Sequence, residues 1–424
     1  MIDELPGLLG SGFRPTGKYG IGFFSVFMLG DSVRIRTRRA DAAQKDTLVL
    51  EFNTGLSSRP VLREAANDEV LRDGGSCIRV WLRTAPTEKG GLLYRFRGDP
   101  TISLAQLSRE VCPALPVRLV CHEGNTTTPV VTGDDWLDCP GKELFRRTCD
   151  WTYDTEDYDG DACQDFIAKA GANLRVLRES DNTAVGRACI GLATRGARNS
   201  TSKAGLHGAV TIGGLTACQL RGIVGILAGT SERAARDDAT PIVSRPTLCA
   251  WATEQASLVA ALYEDPEDQM DCAEIVRRCG GETLGLPVAR HAGSHVSFDQ
   301  IACMSLPDEV LIVAPYSVSD LEELRGFEFG PGVFVTEFGG WTNIIRTSHF
   351  SGWPYNLVPR WGEGFSVSTT LGGSVVEAVA QGWGSSIEEV ARQATDRSKR
   401  REERVIGHVN SQEIKRDVLV LNRA

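Results

Sequence analysis

The sequence predicts an α/β (α+β) protein, because short stretches with strand alternation recur among segments of helical periodicity. In residues 32–38, Val33, Ile35 and Thr37 alternate with Arg34, Arg36 and Arg38, which gives a strand with one buried face. Residues 250–262 carry apolar side chains at helical spacing. Residues 308–315, a helix around Leu321 and Leu324, and residues 332–336 follow one another as a β-α-β unit.

Taken in order, strand character returns at residues 47–52 and 74–82, and the polar Pro/Gly segment 85–91 reads as a boundary. A helix over 102–111 is expected with Thr101 as N-cap, then strands at 116–121, 186–193 and 208–212 and a buried strand at 220–228. Residues 372–381 and 386–394 read as helices. The charge run 396–404 reads as a solvated helix face or linker. The expected division is 1–85, 86–265 and 266–424.

The 424 residues suffice for two or three domains, and 42% hydrophobic with 24% charged residues is globular composition. A net charge of −9 makes nucleic acid an unexpected default partner, although local basic patches remain compatible with it. No basic n-region with an apolar stretch opens the sequence, and the densest apolar run, residues 21–29, is far short of a membrane span. A cytoplasmic protein without a membrane partner is therefore expected. The twelve cysteines contain no Cys-x-x-Cys pair and read as buried thiols. His291 and His295 are four apart, but Gly293 and Ser294 between them read as a loop.

Chemistry concentrates near the start. Gly17-Lys-Tyr-Gly-Ile-Gly-Phe-Phe-Ser-Val-Phe-Met-Leu-Gly-Asp31 reads as a flexible glycine loop running into a helix. Such a loop offers several N–H groups to an anion at a helix N-terminus, and phosphate is the ligand this chemistry suits. The alternative is a glycine turn that caps a buried helix. The whole string resembles the glycine-rich motif of GHKL ATPases in its heat shock protein 90 form, through the continuation Phe23-Phe24-Ser25 to Asp31. The resemblance implies that Gly17, Lys18, Tyr19, Gly20, Ile21, Gly22 and Phe23 cradle nucleotide phosphates, and that residues 8–16 end a mobile lid. Gly74-Gly-Ser-Cys-Ile-Arg-Val-Trp-Leu82 resembles the family strand whose hydroxyl binds the adenine end, with Ser76 in that position. A strand-start hydroxyl satisfied by backbone is the alternative for Ser76.

Arg221-Gly-Ile-Val-Gly, then Pro241-Ile-Val-Ser-Arg-Pro-Thr-Leu248 and the helix beyond, resemble the chaperones' middle domain. There an arginine reaches the ATP γ-phosphate, which makes Arg245 the expected catalytic residue, with Arg233 and Arg236 as competitors. The alternative is an arginine paired with a carboxylate such as Glu254. The asparagine of the family loop is missing, and the spacing from Pro241 is one residue short.

The resemblance implies the end of a Bergerat-type ATP-binding sandwich over 1–85, a chaperone-like middle domain over 86–265, and a divergent α/β subdomain and tail over 266–424. It covers the first 85 residues best and fades from Pro266. It implies ATP and Mg²⁺ as cofactors, client proteins as partners and a homodimer in the full-length form. In the family, the catalytic glutamate, the Mg²⁺-binding asparagine and the Asp-x-Gly-x-Gly motif precede the glycine loop. They are not in this sequence, so the expectation is a chain truncated at its start that binds ATP weakly. The other reading is a nucleotide-independent protein-binding module that retains a degenerate ATPase remnant.

Overall fold

The computed structural model describes residues 22–95, 101–148, 161–191, 207–231, 239–322, 327–338, 345–346, 353–354, 367–395 and 402–423. The chain is mixed α/β with four sheets among these residues. It divides into two compact units, Met1–Leu107 and Ser108–Ala424.

In the N-terminal unit, β1 (Ser32–Arg38), β2 (Leu48–Phe52), β3 (Val61–Glu64) and β4 (Gly75–Trp81) form an antiparallel sheet of order β3-β2-β1-β4. The register sets Val33 opposite Phe52 and Val80, and Ile35 opposite Leu50 and Ile78. The alternation along β1 therefore produces one apolar face and one arginine face, as residue types with a period of two require. On the apolar face, Val33 and Phe52 are buried beneath Phe27, with Phe23, Ile35, Leu50 and Val80 at the margin.

Helix α1 (Leu104–Val111) spans the division of the chain between Leu107 and Ser108. The helix starts two residues later than its sequence suggests. The Ser103 hydroxyl accepts the Gln106 N–H at 3.1 Å and so acts as the cap, while Thr101 instead forms a bridge with Tyr94. The hairpin β5 (Arg118–Glu123) and β6 (Thr126–Thr132) precedes α2 (Gly141–Thr148) and α3 (Asp161–Ala172).

Strands β7 (Arg175–Arg178), β8 (Ala184–Ile190), β9 (His207–Ile212), β10 (Leu215–Arg221), β11 (Ile223–Thr230) and β12 (Thr240–Pro241) enter one sheet. The expected single strand over 220–228 is two. Gly222, at φ +73°, ends β10 and lets the chain reverse direction into β11. Strand β11 runs parallel to β9 and antiparallel to β8. Its Val224 and Ile226 pack with Leu144 and Phe145 of α2 and with Ile167 of α3, while Ile223 and Leu227 join the core on the other side. Helices on both faces explain why β11 reads as a continuous apolar run.

Helix α4 (Arg245–Leu262) supplies that other layer through Leu248, Trp251, Ala252, Ala256 and Val259. Its buried polar atoms have partners. The Trp251 indole donates to the Ala188 carbonyl at 3.1 Å, and the Gln255 side-chain amide accepts from Ile190 N–H and donates to the Asn173 carbonyl, each at 3.0 Å. Helix α5 (Pro266–Arg278) follows directly.

The third sheet draws on β13 (Pro287–His291), β14 (Ser294–Ser297), β15 (Glu309–Val313), β16 (Phe327–Phe329) and β17 (Val333–Val335). The two-residue β18 (Ile345–Arg346) pairs with β10 in the earlier sheet. Strands β19 (Glu402–Val409) and β20 (Gln412–Asn422) complete the third sheet, whose order is β14-β13-β17-β15-β20-β19-β16. The expected β-α-β unit is present: β15 and β17 are parallel, with α7 (Ser319–Glu322) between them, after α6 (Phe298–Cys303). Helices α8 (Leu371–Trp383) and α9 (Ile387–Thr395) match the two expected near the end. The charge run, by contrast, enters a strand, since Glu402, Glu403 and Arg404 open β19. One core runs from Leu177 to Leu421 across both large sheets and the helices α4, α5, α6, α8 and α9.

Candidate functional site

Of the residues expected to cradle phosphate, Gly17, Lys18, Tyr19, Gly20 and Ile21 lie outside the described residues. Gly22 and Phe23 open a 3-10 segment, Gly22–Met28, where the sequence suggests a helix. Its bonding is short-range: Leu29 N–H reaches the Val26 carbonyl at 3.0 Å, and the Ser25 hydroxyl takes the Gly22 carbonyl at 2.7 Å. The aromatic string does two things. Phe27 sits 5.0 Å from Phe52 in edge-to-face contact and anchors the segment, while Phe24 and Met28 stay exposed at 47% and 80%.

Asp31, the last residue of the glycine string, forms a two-pronged pair with Arg83, at 2.7 Å and 2.9 Å. The same guanidinium donates to the Phe27 carbonyl at 2.9 Å, so the end of the segment is clamped to the chain leaving β4. The Arg83 hydrogen bond holds the Asp31 carboxyl below its ordinary range. Sequence reasoning identified Asp31 as part of a motif and missed its partner, which lies fifty-two positions away.

Ser76 lies on β4 opposite Thr37, and the two hydroxyls are 2.8 Å apart. Thr37, on the side of the strand that the alternation predicts to be buried, is exposed and forms a hydroxyl pair with Ser76. Alternation puts both hydroxyls on the face that carries Val33, Ile35 and Phe27. Two rows separate them from Val33, about 13 Å along the strand. Gly22, Phe23 and Ser76 thus serve one face of one sheet.

Arg245 belongs to the other unit. It is the first residue of α4, not part of a loop ahead of a helix beginning at 250. Ser244 is the N-cap and Pro246 occupies the first turn, a combination that fixes a helix start. Arg245 is exposed and has no ion-pair partner among the described residues, while Glu254, its expected carboxylate, pairs with Arg175 at 2.7 Å. Arg233 and Arg236 lie outside the described residues.

Glu179, which the sequence did not single out, holds the Arg245 segment. Its carboxylate accepts the Ser244 N–H at 2.7 Å and the Thr247 hydroxyl at 3.1 Å. Burial works to raise the Glu179 pKa, and the hydrogen bonds from Ser244 and Thr247 outweigh it, leaving the group below its ordinary value. The N-terminal end of α4 therefore already carries an internal anion.

No metal cluster of three or more His, Cys, Asp or Glu occurs among the described residues. Asp31 is engaged by Arg83. His291 bonds the Val333 carbonyl and His295 bonds Glu267, at 3.0 Å and 2.9 Å. The ten described cysteines are all free thiols, five of them buried. No described helix is long and apolar enough to cross a membrane. No protein-family model matches the chain, and no curated protein matches it.

Proposed function

We propose that the chain is part of an ATP-dependent, chaperone-like protein of the GHKL type, in which the glycine string binds phosphates and Ser76 the adenine end of a nucleotide. The supporting observation is that the segment beginning at Gly22 packs on the same sheet face that presents the Ser76–Thr37 hydroxyl pair. Arg245, exposed and rigidly carried at the start of α4, serves as the phosphate-directed arginine, since a guanidinium binds phosphate oxygens in bidentate fashion. ATP energy would then be coupled to the folding or remodelling of client proteins, in a cytoplasmic homodimer.

A second reading is a nucleotide-independent protein-binding module. The apolar face of the N-terminal sheet favours it, because Ile78, Leu62 and Leu48 are 53%, 64% and 41% exposed there.

The test is calorimetry and turnover with Mg-ATP on this chain, which is expected to bind weakly. Arg245→Ala should lower any turnover by about one to three orders of magnitude with little change in affinity. Arg245→Lys should rescue poorly. A chain that binds no nucleotide, yet protects an aggregating client, would replace the first reading with the second.

A further inference from the structure

The face of the N-terminal sheet turned away from Phe27 has a different chemistry. It carries Arg34, Arg36 and Arg38 on β1, Arg63 on β3, and Arg79 and Trp81 on β4. Two carboxylates share it. Glu51 pairs with Arg34 at 2.7 Å and with Arg63 at 2.9 Å, and Glu69 pairs with Arg34 at 3.4 Å and with Arg63 at 2.5 Å. Five arginines against two carboxylates leave the face positive. The surrounding unit shares this bias: within Met1–Leu107, fifteen Lys and Arg outnumber twelve Asp and Glu, although the whole chain carries −9.

Trp81 stands on this face at 44% exposure, with the Arg34 and Arg79 guanidinium carbons 5.6 Å and 5.9 Å from its ring centroid. Arg79 is exposed and has no ion-pair partner among the described residues. Arg36 and Arg38 are held in place by main-chain carbonyls, Arg36 by Glu69 at 3.2 Å and Arg38 by Leu71 at 2.9 Å and Arg72 at 3.0 Å. Such anchoring reduces the side-chain entropy lost on meeting a ligand.

We propose that this arginine and tryptophan face binds single-stranded nucleic acid. The proposal is independent of the ATP reading, which concerns the opposite face. An indole flanked by two guanidinium planes is a stacking platform for unpaired bases, and every base offers a π-face to it. Arginines at alternate positions of β1 are about 6.7 Å apart, on the order of the phosphate repeat of an extended strand. Arg36 and Arg38 spend N–H groups on main-chain carbonyls and contribute their charge, while the exposed Arg79 guanidinium suits phosphate oxygens. A lipid surface fits less well, because it is met by snorkelling lysines with apolar anchors, and this face carries no lysine.

The experiment is fluorescence anisotropy of labelled oligo-dT and oligo-U with the full chain, alongside a DNA hairpin and phosphatidylserine vesicles, between about 50 and 200 mM salt. Both single strands should bind, and the two probes separate DNA from RNA as the source. Trp81→Ala should weaken binding by about 5- to 150-fold, the range of losing one stacked base, and Trp81→Phe should recover most of it. Arg79→Ala should flatten the log–log salt slope by about 0.7. Leu62→Ser, on the opposite face, should leave affinity unchanged, and melting curves confirm that each variant is folded. The proposal is overturned if neither strand binds, if the Trp81 and Arg79 variants bind as the parent does, or if only the vesicles bind.

Discussion

Replacing Glu179 by alanine removes the carboxylate that accepts the Ser244 N–H at 2.7 Å and the Thr247 hydroxyl at 3.1 Å. Hydrogen bonds to a charged acceptor contribute about 1.5–3 kcal/mol each when fully counted. A negative charge at a helix N-terminus adds about 0.3–1 kcal/mol. Glu179 is only partly buried, so water replaces part of what is lost, and Ser244 still caps Thr247 N–H. The expected loss is about 2 kcal/mol, and about 1 kcal/mol for Glu179→Gln, which keeps a neutral acceptor. The pKa is depressed in the folded chain, so the stabilisation is present above the ordinary glutamate pKa and disappears as pH falls through the lower folded value. Denaturant titration at neutral and acidic pH, following the second unit, reads all three quantities. An alanine variant as stable as the parent at neutral pH would refute the account of how the start of α4 is held.

Other outcomes follow from the same physics. Glu69 is pulled down to about 2, first by the Arg63 hydrogen bond, and Asp31 and Glu51 are also held low, so the N-terminal unit should lose stability progressively as pH falls from about 4.5 to 2, and Glu69→Gln should reduce that dependence without abolishing it; acid titration of unfolding checks it. Phe145→Ala, at a fully buried side chain between α2 and β11, should cost about 3–5 kcal/mol in denaturant unfolding. Gly225→Ala should cost about 2–6 kcal/mol from backbone strain plus overlap, because φ there is +117° and a Cβ would lie 2.3 Å from the Arg187 carbonyl oxygen; a folded variant with parental melting behaviour would contradict this.

Local signals in the sequence were informative and long-range ones were silent. Strands β1 and β4 were legible because Val33, Ile35, Ile78 and Val80 alternate with arginines over a half-covered sheet. The start of α4 was legible too, since Ser244 and Pro246 are a cap and a first-turn proline, although the loop resemblance drew the start to residue 250. The break at Gly222 was hidden inside an apolar run, because burial on both faces erases the period that marks a strand's end. Glu179 and Arg83 carry no signal at all. Each acts through a partner more than fifty residues away, and no spacing rule reports such a meeting.

Strand β20 is an interior member of its sheet, paired with β15 on one side and β19 on the other. Asn410 and Ser411, both at positive φ, close the β19–β20 hairpin, so these two strands are able to zip together locally. Docking onto β15 is another matter, because β15 is synthesised about a hundred residues earlier and waits with an open edge until the hairpin has cleared the ribosome. During that interval the main-chain edge of Glu309–Val313 that β20 will pair is open. A stalled ribosome, a late frameshift or a protease cut near residue 400 would therefore not trim a tail. Each would remove the middle of a sheet and leave a chain that aggregates or is degraded.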